Sequence, residues 1–262
     1  MPNIFFFDID NTLLDHDTLS IPSSALDAIA GLRQEGHTVA IATGRAYAHA
    51  KQFIDQVHPS YAITQNGARI LRGEEVVYSE PLPRTRLGEL FDWMNELGHA
   101  WGVEDGTVAY LNELTPMTTQ PFEAVGISYR SGPPIHRDQD SYQSWLFIDE
   151  SLDTTLLPEL RARFPEFEFV RWHPWAVDVT LRTINKWTGC QWVLARIGFT
   201  PEQAIAFGDG LNDVQMLRGV GLGIAMGNAH PDLKAVADHI APTLQLDGIA
   251  RALQELLASD KL

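Results

Sequence analysis

Short apolar runs alternate with amphipathic stretches over the first 65 residues, and this alternation constrains the fold more than any single motif does. Three of the runs read as strands: Ile4 to Phe7 (IFFF), HTVAIAT ending at Thr43, and Tyr61 to Thr64 (YAIT). Their continuous hydrophobicity is that of strands covered on both faces. Between them, Ser23 to Glu35 has helical spacing, a serine cap and Gly36 as a stop, and RAYAHAKQFIDQV reads as a second helix starting just after Thr43. A β-α-β-α-β order predicts a parallel sheet with right-handed crossovers. Ligands are expected at the carboxyl ends of its strands.

From about Pro81 the texture changes. A helical stretch, Arg84 to Leu97, precedes strand-like TVAYL, VGISY, SWLFID, FEFVRW and AVDVTL, with one helix near Asp153 to Phe164. Five of the seven tryptophans (Trp93, Trp101, Trp145, Trp172 and Trp175) fall in this region. After about Arg182 the first texture returns: a helix from Lys186 to Ile197, the strand AIAFGD, a helix in LNDVQMLRG, the strand LGIAMG and a last helix from Asp247 to Leu257. The predicted class is therefore α/β, a Rossmann-like doubly wound parallel-sheet core (residues 1–81 and 183–262) interrupted by an inserted α+β domain (residues 82–182).

Composition removes several classes of partner. Nineteen Lys and Arg against 34 Asp and Glu leave a formal charge of −15, which opposes binding to nucleic acid or to an anionic membrane. An anionic substrate must be attracted locally. The single cysteine, Cys190, supports no intrachain disulfide, and no apolar run approaches the roughly 20 residues of a membrane span. A cytoplasmic location is expected, with no membrane partner. Oligomeric state is left open.

Four polar clusters stand where predicted strands end or helices begin: Asp8 with Asp10; Thr43, Gly44 and Arg45; Lys186; and GDGLND, Gly208 to Asp213. Two carboxylates one residue apart at a sheet edge repel each other and resist desolvation, so a cation is the natural compensation. A lone D-x-D is most often a turn, and a lone Thr-Gly a helix cap. Convergence of all four on one sheet edge is the informative fact.

The order D-x-D-x-T, T-G-R, N-K and G-D-G-x-N-D resembles the haloacid dehalogenase superfamily of phosphohydrolases, and within it the Cof-like group with an inserted cap. AMGNA and LDGIARAL resemble that group's closing segments, so the likeness spans nearly the whole chain. The resemblance implies Asp8 as nucleophile forming an aspartyl-phosphate, and Asp10 as the acid and base that serves leaving group and water. It implies Mg2+ held by Asp8, the backbone carbonyl of Asp10 and Asp209, with Asp213 a ligand through water or a supporting partner. Thr43, Gly44, Lys186 and Asn212 would hold the phosphate. Asn11 stands where the group usually has glycine, and Trp187 follows Lys186 where glycine is frequent; packing is the favoured reading of that indole.

The expected activity is Mg2+-dependent hydrolysis of small phosphomonoesters, sugar phosphates or similar metabolites. A phosphomutase of the same superfamily is the alternative enzyme, and a phosphoaspartate receiver the alternative non-enzyme, although the latter needs only about half this length and gives the insert no role. Substrate identity would lie in the insert. Arg45, Asn66 and Trp175 are candidate substrate contacts, and Arg45 could equally be a helix N-terminal arginine that pairs with surface acids. Trp101 and Trp172 are expected mainly in the insert's own core, Glu104, Asp105 and His173 are expected to be solvated, and Asp178 reads as a strand or hinge position.

Overall fold

In the computed structural model, which describes residues 2–104, 106, 108–126, 128–132 and 138–258, the chain forms two compact units: Met1–Ser79 with Asn185–Leu262, and Glu80–Ile184. The first unit contains strands β1 (Ile4–Phe7), β2 (Thr38–Ala42) and β3 (Tyr61–Thr64), separated by helices α1 (Ser23–Gln34) and α2 (Tyr47–Val57). A hairpin of β4 (Arg69–Arg72) and β5 (Glu75–Ser79) follows β3.

The second unit holds α3 (Arg84–Glu96), β6 (Ala100–Glu104), β7 (Ala109–Leu111), α4 (Pro116–Val125), β8 (Tyr129–Ser131), β9 (Ser144–Phe147), α5 (Leu156–Arg163), β10 (Phe167–His173) and β11 (Ala176–Leu181). The chain then rejoins the first unit through α6 (Lys186–Ile197), β12 (Ala204–Gly208), α7 (Val214–Gly219), β13 (Leu222–Ala225), α8 (Pro231–Lys234), β14 (His239–Ile240) and α9 (Gly248–Ala258).

The first unit's sheet has the order β14-β13-β12-β1-β2-β3-β4-β5. Its first six strands are parallel, and β4 and β5 add to the edge antiparallel. Chain order runs outward from β1 to β3, then resumes on the other side of β1 at β12. That reversal beside β1 opens a crevice at the strands' carboxyl ends, the place where α/β sheets bind ligands. Ile4, Phe5, Phe6 and Phe7 are fully buried, and Phe7 stacks on Phe207 of β12 with ring centroids 5.0 Å apart. Burying such a run stabilises by roughly 1.5–3 kcal/mol per side chain. The run therefore anchors the point at which Asp8 emerges.

The second unit's sheet, ordered β10-β11-β9-β6-β7-β8, is antiparallel except for the β7–β8 pair. One core joins Leu87, Leu90, Phe91 and Met94 of α3 and Leu156, Leu157 and Leu160 of α5 to Trp101, Val103, Leu146, Val177 and Val179 of the sheet. A second cluster gathers Phe122 of α4 with Trp145, Phe147 and Ala176. The tryptophans divide accordingly. Trp101 stacks on Phe91 at 4.0 Å and Trp145 meets the edge of Phe122, both buried, whereas Trp172 and Trp175 are half-buried.

Several expectations are corrected. Pro22, not a serine, occupies the α1 cap position, and no side chain caps that helix. Of VGISY, Val125 is still helical, Ile127 lies outside the described residues, and β8 begins only at the last residue, Tyr129. Helix α2 begins at Tyr47, so a loop rather than a helix follows Thr43 directly. Glu104 is buried at the end of β6 rather than solvated, and Asp105 lies outside the described residues. Strand β6, helix α4 and the β4–β5 hairpin are additions that the sequence patterning did not reveal.

Candidate active site

Asp8 directly follows β1 and continues its ladder, donating its N–H to the Phe207 carbonyl at 3.1 Å. Lys186 opens α6, where a reciprocal cap fixes the first turn: the Asn185 side chain accepts from Thr188 N–H, and the Thr188 hydroxyl oxygen accepts from Asn185 N–H, each at 3.1 Å. From there Lys186 Nζ donates to Asp8 Oδ1 and to Asp213 Oδ1, both at 2.6 Å. All three side chains are buried. A lone ammonium there would be strongly disfavoured, but two carboxylates reverse that cost. Burial by itself lowers the lysine's pKa; the charges of Asp213 and Asp8 outweigh it and hold the ammonium above its ordinary range.

Three carboxylates converge on this point. Oxygens of Asp8, Asp209 and Asp213 lie within 4.8 Å of one another. Asp213 is anchored on both sides, since its Oδ2 also accepts the N–H groups of Asp209 and Gly210 at 3.0 Å. Gly208 permits this: a Cβ there would lie 2.5 Å from Asp213 Cγ. Burial, then repulsion from Asp213, pushes Asp209 up to about 6, and burial pushes Asp8 well above the carboxylate range despite Lys186. Ionising all three acids against one lysine would leave negative charge uncompensated, which is the cost that raises these carboxyls and that a bound cation would remove. A hard divalent cation fits that donor set.

Asp10 lies outside that group of acids. Its carboxylate accepts from Arg45 Nε at 2.9 Å and from a second guanidinium nitrogen at 2.5 Å, and it lies 2.9 Å from His16 Nε2. Burial would raise the Asp10 carboxyl, but the hydrogen bonds and charge of Arg45, aided by His16, hold it below its ordinary value. Arg45 does pair with an acid, but that acid is Asp10 of the site rather than a surface carboxylate, and Arg45 precedes helix α2 instead of starting it. His16 was not anticipated; six residues beyond Asp10, in a loop without periodicity, it gives no signal that spacing could reveal. Immediately after Asp10 the chain turns at Asn11, whose φ of 52° is a left-handed conformation that asparagine tolerates. Asn228, in the AMGNA segment, donates to the Asn11 carbonyl at 2.8 Å.

Thr43 is fully buried at the end of β2; its hydroxyl oxygen accepts from Arg45 N–H at 3.1 Å, closing a tight turn over Gly44. Asn66 and Asn212 meet beside this turn, Asn212 Nδ2 donating to Asn66 Oδ1 at 2.9 Å. Asp8, Asp10, Thr43, Gly44, Arg45, Asn66, Lys186, Asp209, Asn212 and Asp213 all belong to the first unit. Trp187 packs on Gly219 of α7, in line with its packing reading. Trp175 stands in the second unit, on the turn between β10 and β11, where its N–H donates to His173 Nδ1 at 3.2 Å. Asp178 is a mid-strand residue of β11, opposite Val170 and Trp145, and burial raises its carboxyl to about 7.

A model of the haloacid dehalogenase-like hydrolase family matches residues 5–253. The Bacillus subtilis (strain 168) protein named "Putative phosphatase YkrA" is 35% identical over 262 residues, covering 97% of each chain. The 5-amino-6-(5-phospho-D-ribitylamino)uracil phosphatase YcsE of the same organism is 28% identical over 94% of this chain and 92% of its own. Among solved structures, the phosphatase BT1666 of Bacteroides thetaiotaomicron superposes with a TM-score of 0.88 at 28% identity, covering 97% of this chain and 95% of that one.

Proposed function

Because the chain belongs to the haloacid dehalogenase-like hydrolases and is a phosphoric monoester hydrolase, we propose that it cleaves small phosphorylated metabolites with Asp8 as nucleophile and Mg2+ as its metal. The observation that carries this reading is the buried Asp8–Lys186–Asp213 arrangement, with Asp209 beside it, at the carboxyl ends of β1 and β12.

An Asp8 oxygen attacks phosphorus, the bond to the leaving oxygen breaks, and Asp10 delivers a proton to that oxygen. Water then attacks the aspartyl-phosphate, gives its proton to Asp10 and releases phosphate with Asp8 regenerated. Thr43, the Gly44 backbone, Lys186 and Asn212 hold the phosphoryl oxygens throughout, which is most of what phosphoryl transfer demands of a protein. Asp8, Asp209 and the Asp10 carbonyl would hold Mg2+, and Asp213, whose oxygens already have three protein partners, would support it through water. The bound cation would neutralise the charge of carboxylates and phosphate.

Arg45 keeps Asp10 ionised, which suits the base half of the cycle. The acid half needs a proton on Asp10. An arriving phosphate dianion favours that uptake, because it raises the carboxyl pKa and competes for the guanidinium.

Substrate choice is assigned to the second unit. The testing experiment is a phosphate-release screen with and without Mg2+ across p-nitrophenyl phosphate, sugar phosphates, nucleotides, pyridoxal phosphate and phosphoglycerate-type esters, with product analysis. Metal-dependent phosphate release supports the reading. Isomer interconversion without phosphate release would mean a mutase, and inactivity on the whole panel would refute hydrolysis.

A further inference from the structure

The backbone after β3 does something the phosphate chemistry does not require of it. Gln65 and Asn66 both adopt left-handed conformations, with φ of 50° and 55°, and Gly67 follows at 104°. Consecutive left-handed residues that are not glycine are strained, and persist only where their surroundings over-determine them. The surroundings here are the candidate site's own segments. Gln65 N–H donates to the Arg45 carbonyl and Asn66 N–H to the Thr43 carbonyl, so the strained residues clamp the loop around Gly44 from both ends. Gly67 lies so close to the start of α6 that a Cβ would fall 2.3 Å from the Asn185 carbonyl oxygen, next to Lys186.

The product of this strain is the placement of one side chain. Asn66 Oδ1 accepts from Asn212 Nδ2 at 2.9 Å, and both carboxamides lie against Gly44: a Cβ there would stand 3.2 Å from Asn66 Oδ1 and 3.5 Å from Asn212 Nδ2. We propose that Asn66 is a positioning residue that acts through Asn212, the left-handed turn holding its carboxamide where it fixes the Asn212 amide beside the phosphate-binding loop. This deepens the function proposed above and rests on Asn212 facing the phosphate. It departs from the simpler expectation that Asn66 itself touches substrate.

A double-mutant cycle separates these roles. Asn66→Gly removes the side chain yet accepts the left-handed backbone, and Asn212→Ala breaks the same bond from the other end. The probe is inorganic phosphate, bound in the presence of Mg2+ and followed by calorimetry and by competition with p-nitrophenyl phosphate hydrolysis. Each single variant is expected to weaken phosphate binding about three- to tenfold, the loss of one hydrogen bond's worth of placement. The double variant should bind no more than about twofold worse than Asn212→Ala alone. Multiplying losses would overturn the proposal in favour of an independent Asn66 contact. Unchanged phosphate affinity in Asn66→Gly with only a lower melting temperature would overturn it in favour of a purely structural role. Failure of the wild-type protein to bind phosphate or hydrolyse any ester would refute the proposed function and this inference with it.

Discussion

Lys186 Nζ stands 2.6 Å from Asp8 Oδ1 although the two residues are 178 positions apart in sequence, and both groups are buried. The same ammonium holds Asp213 at the same distance. One cation therefore ties the first strand, the first residue of α6 and the loop after β12 into a single arrangement.

Lys186→Ala should consequently cost stability as well as activity. Removing one partner of a buried ion pair leaves uncompensated charge, typically about 3–5 kcal/mol, and here two carboxylates lose their partner. Urea unfolding should show that loss in the absence of divalent cation. Added Mg2+, by neutralising the same acids, should restore part of it.

Arg45 sets the ionisation of Asp10. With Arg45→Ala the burial that raises the Asp10 carboxyl is no longer outweighed, so the group should titrate at higher pH than in the wild type. The carboxyl resonance of labelled aspartate, followed by NMR against pH, reads this directly; an unmoved titration would contradict it. The stability sign follows. A depressed folded-state pKa stabilises above the unfolded value near 4, and that contribution disappears as pH falls through the folded value. The wild-type advantage over Arg45→Ala should shrink in acid.

Asp178 predicts the opposite pH trend. Its carboxyl, raised by burial to about 7, stays protonated in the folded chain while the unfolded chain ionises near 4. Between those values the folded state binds more protons, so stability falls as pH rises, and the loss is complete above 7. Asp178→Asn removes that dependence. Its melting temperature should exceed that of the wild type at pH 8 by more than at pH 5; equal differences at the two values would show that the carboxyl is not desolvated.

Much of the core was legible because its signals are local. Tyr61–Thr64, Lys186–Ile197 and Ala176–Leu181 are bounded where their apolar patterns begin and end. The elements that stayed hidden break the local rules. Pro121 lies inside α4, whose start is set by a Thr115–Thr118 cap with Pro116 at the first helical position. Gly102 interrupts β6 because a Cβ there would meet Leu111 at 2.7 Å, a cross-strand constraint absent from the strand's own pattern. At the site, the motifs marked the acids and the lysine. The Arg45–Asp10 pair, the approach of His16 and the Asn66–Asn212 bond are tertiary contacts, and the left-handed turn at Gln65 and Asn66 runs against the propensity of its first residue. Nothing in a one-dimensional pattern specifies them.

The central claim is that Asp8 is the nucleophile, and the most direct test is phosphate release from p-nitrophenyl phosphate in saturating Mg2+ by the wild type and by Asp8→Asn. Asparagine keeps the shape and a hydrogen-bonding oxygen for Lys186 but cannot form the aspartyl-phosphate, so turnover should fall at least about a thousandfold with the protein still folded. Ordinary turnover in the folded Asp8→Asn variant would contradict the account.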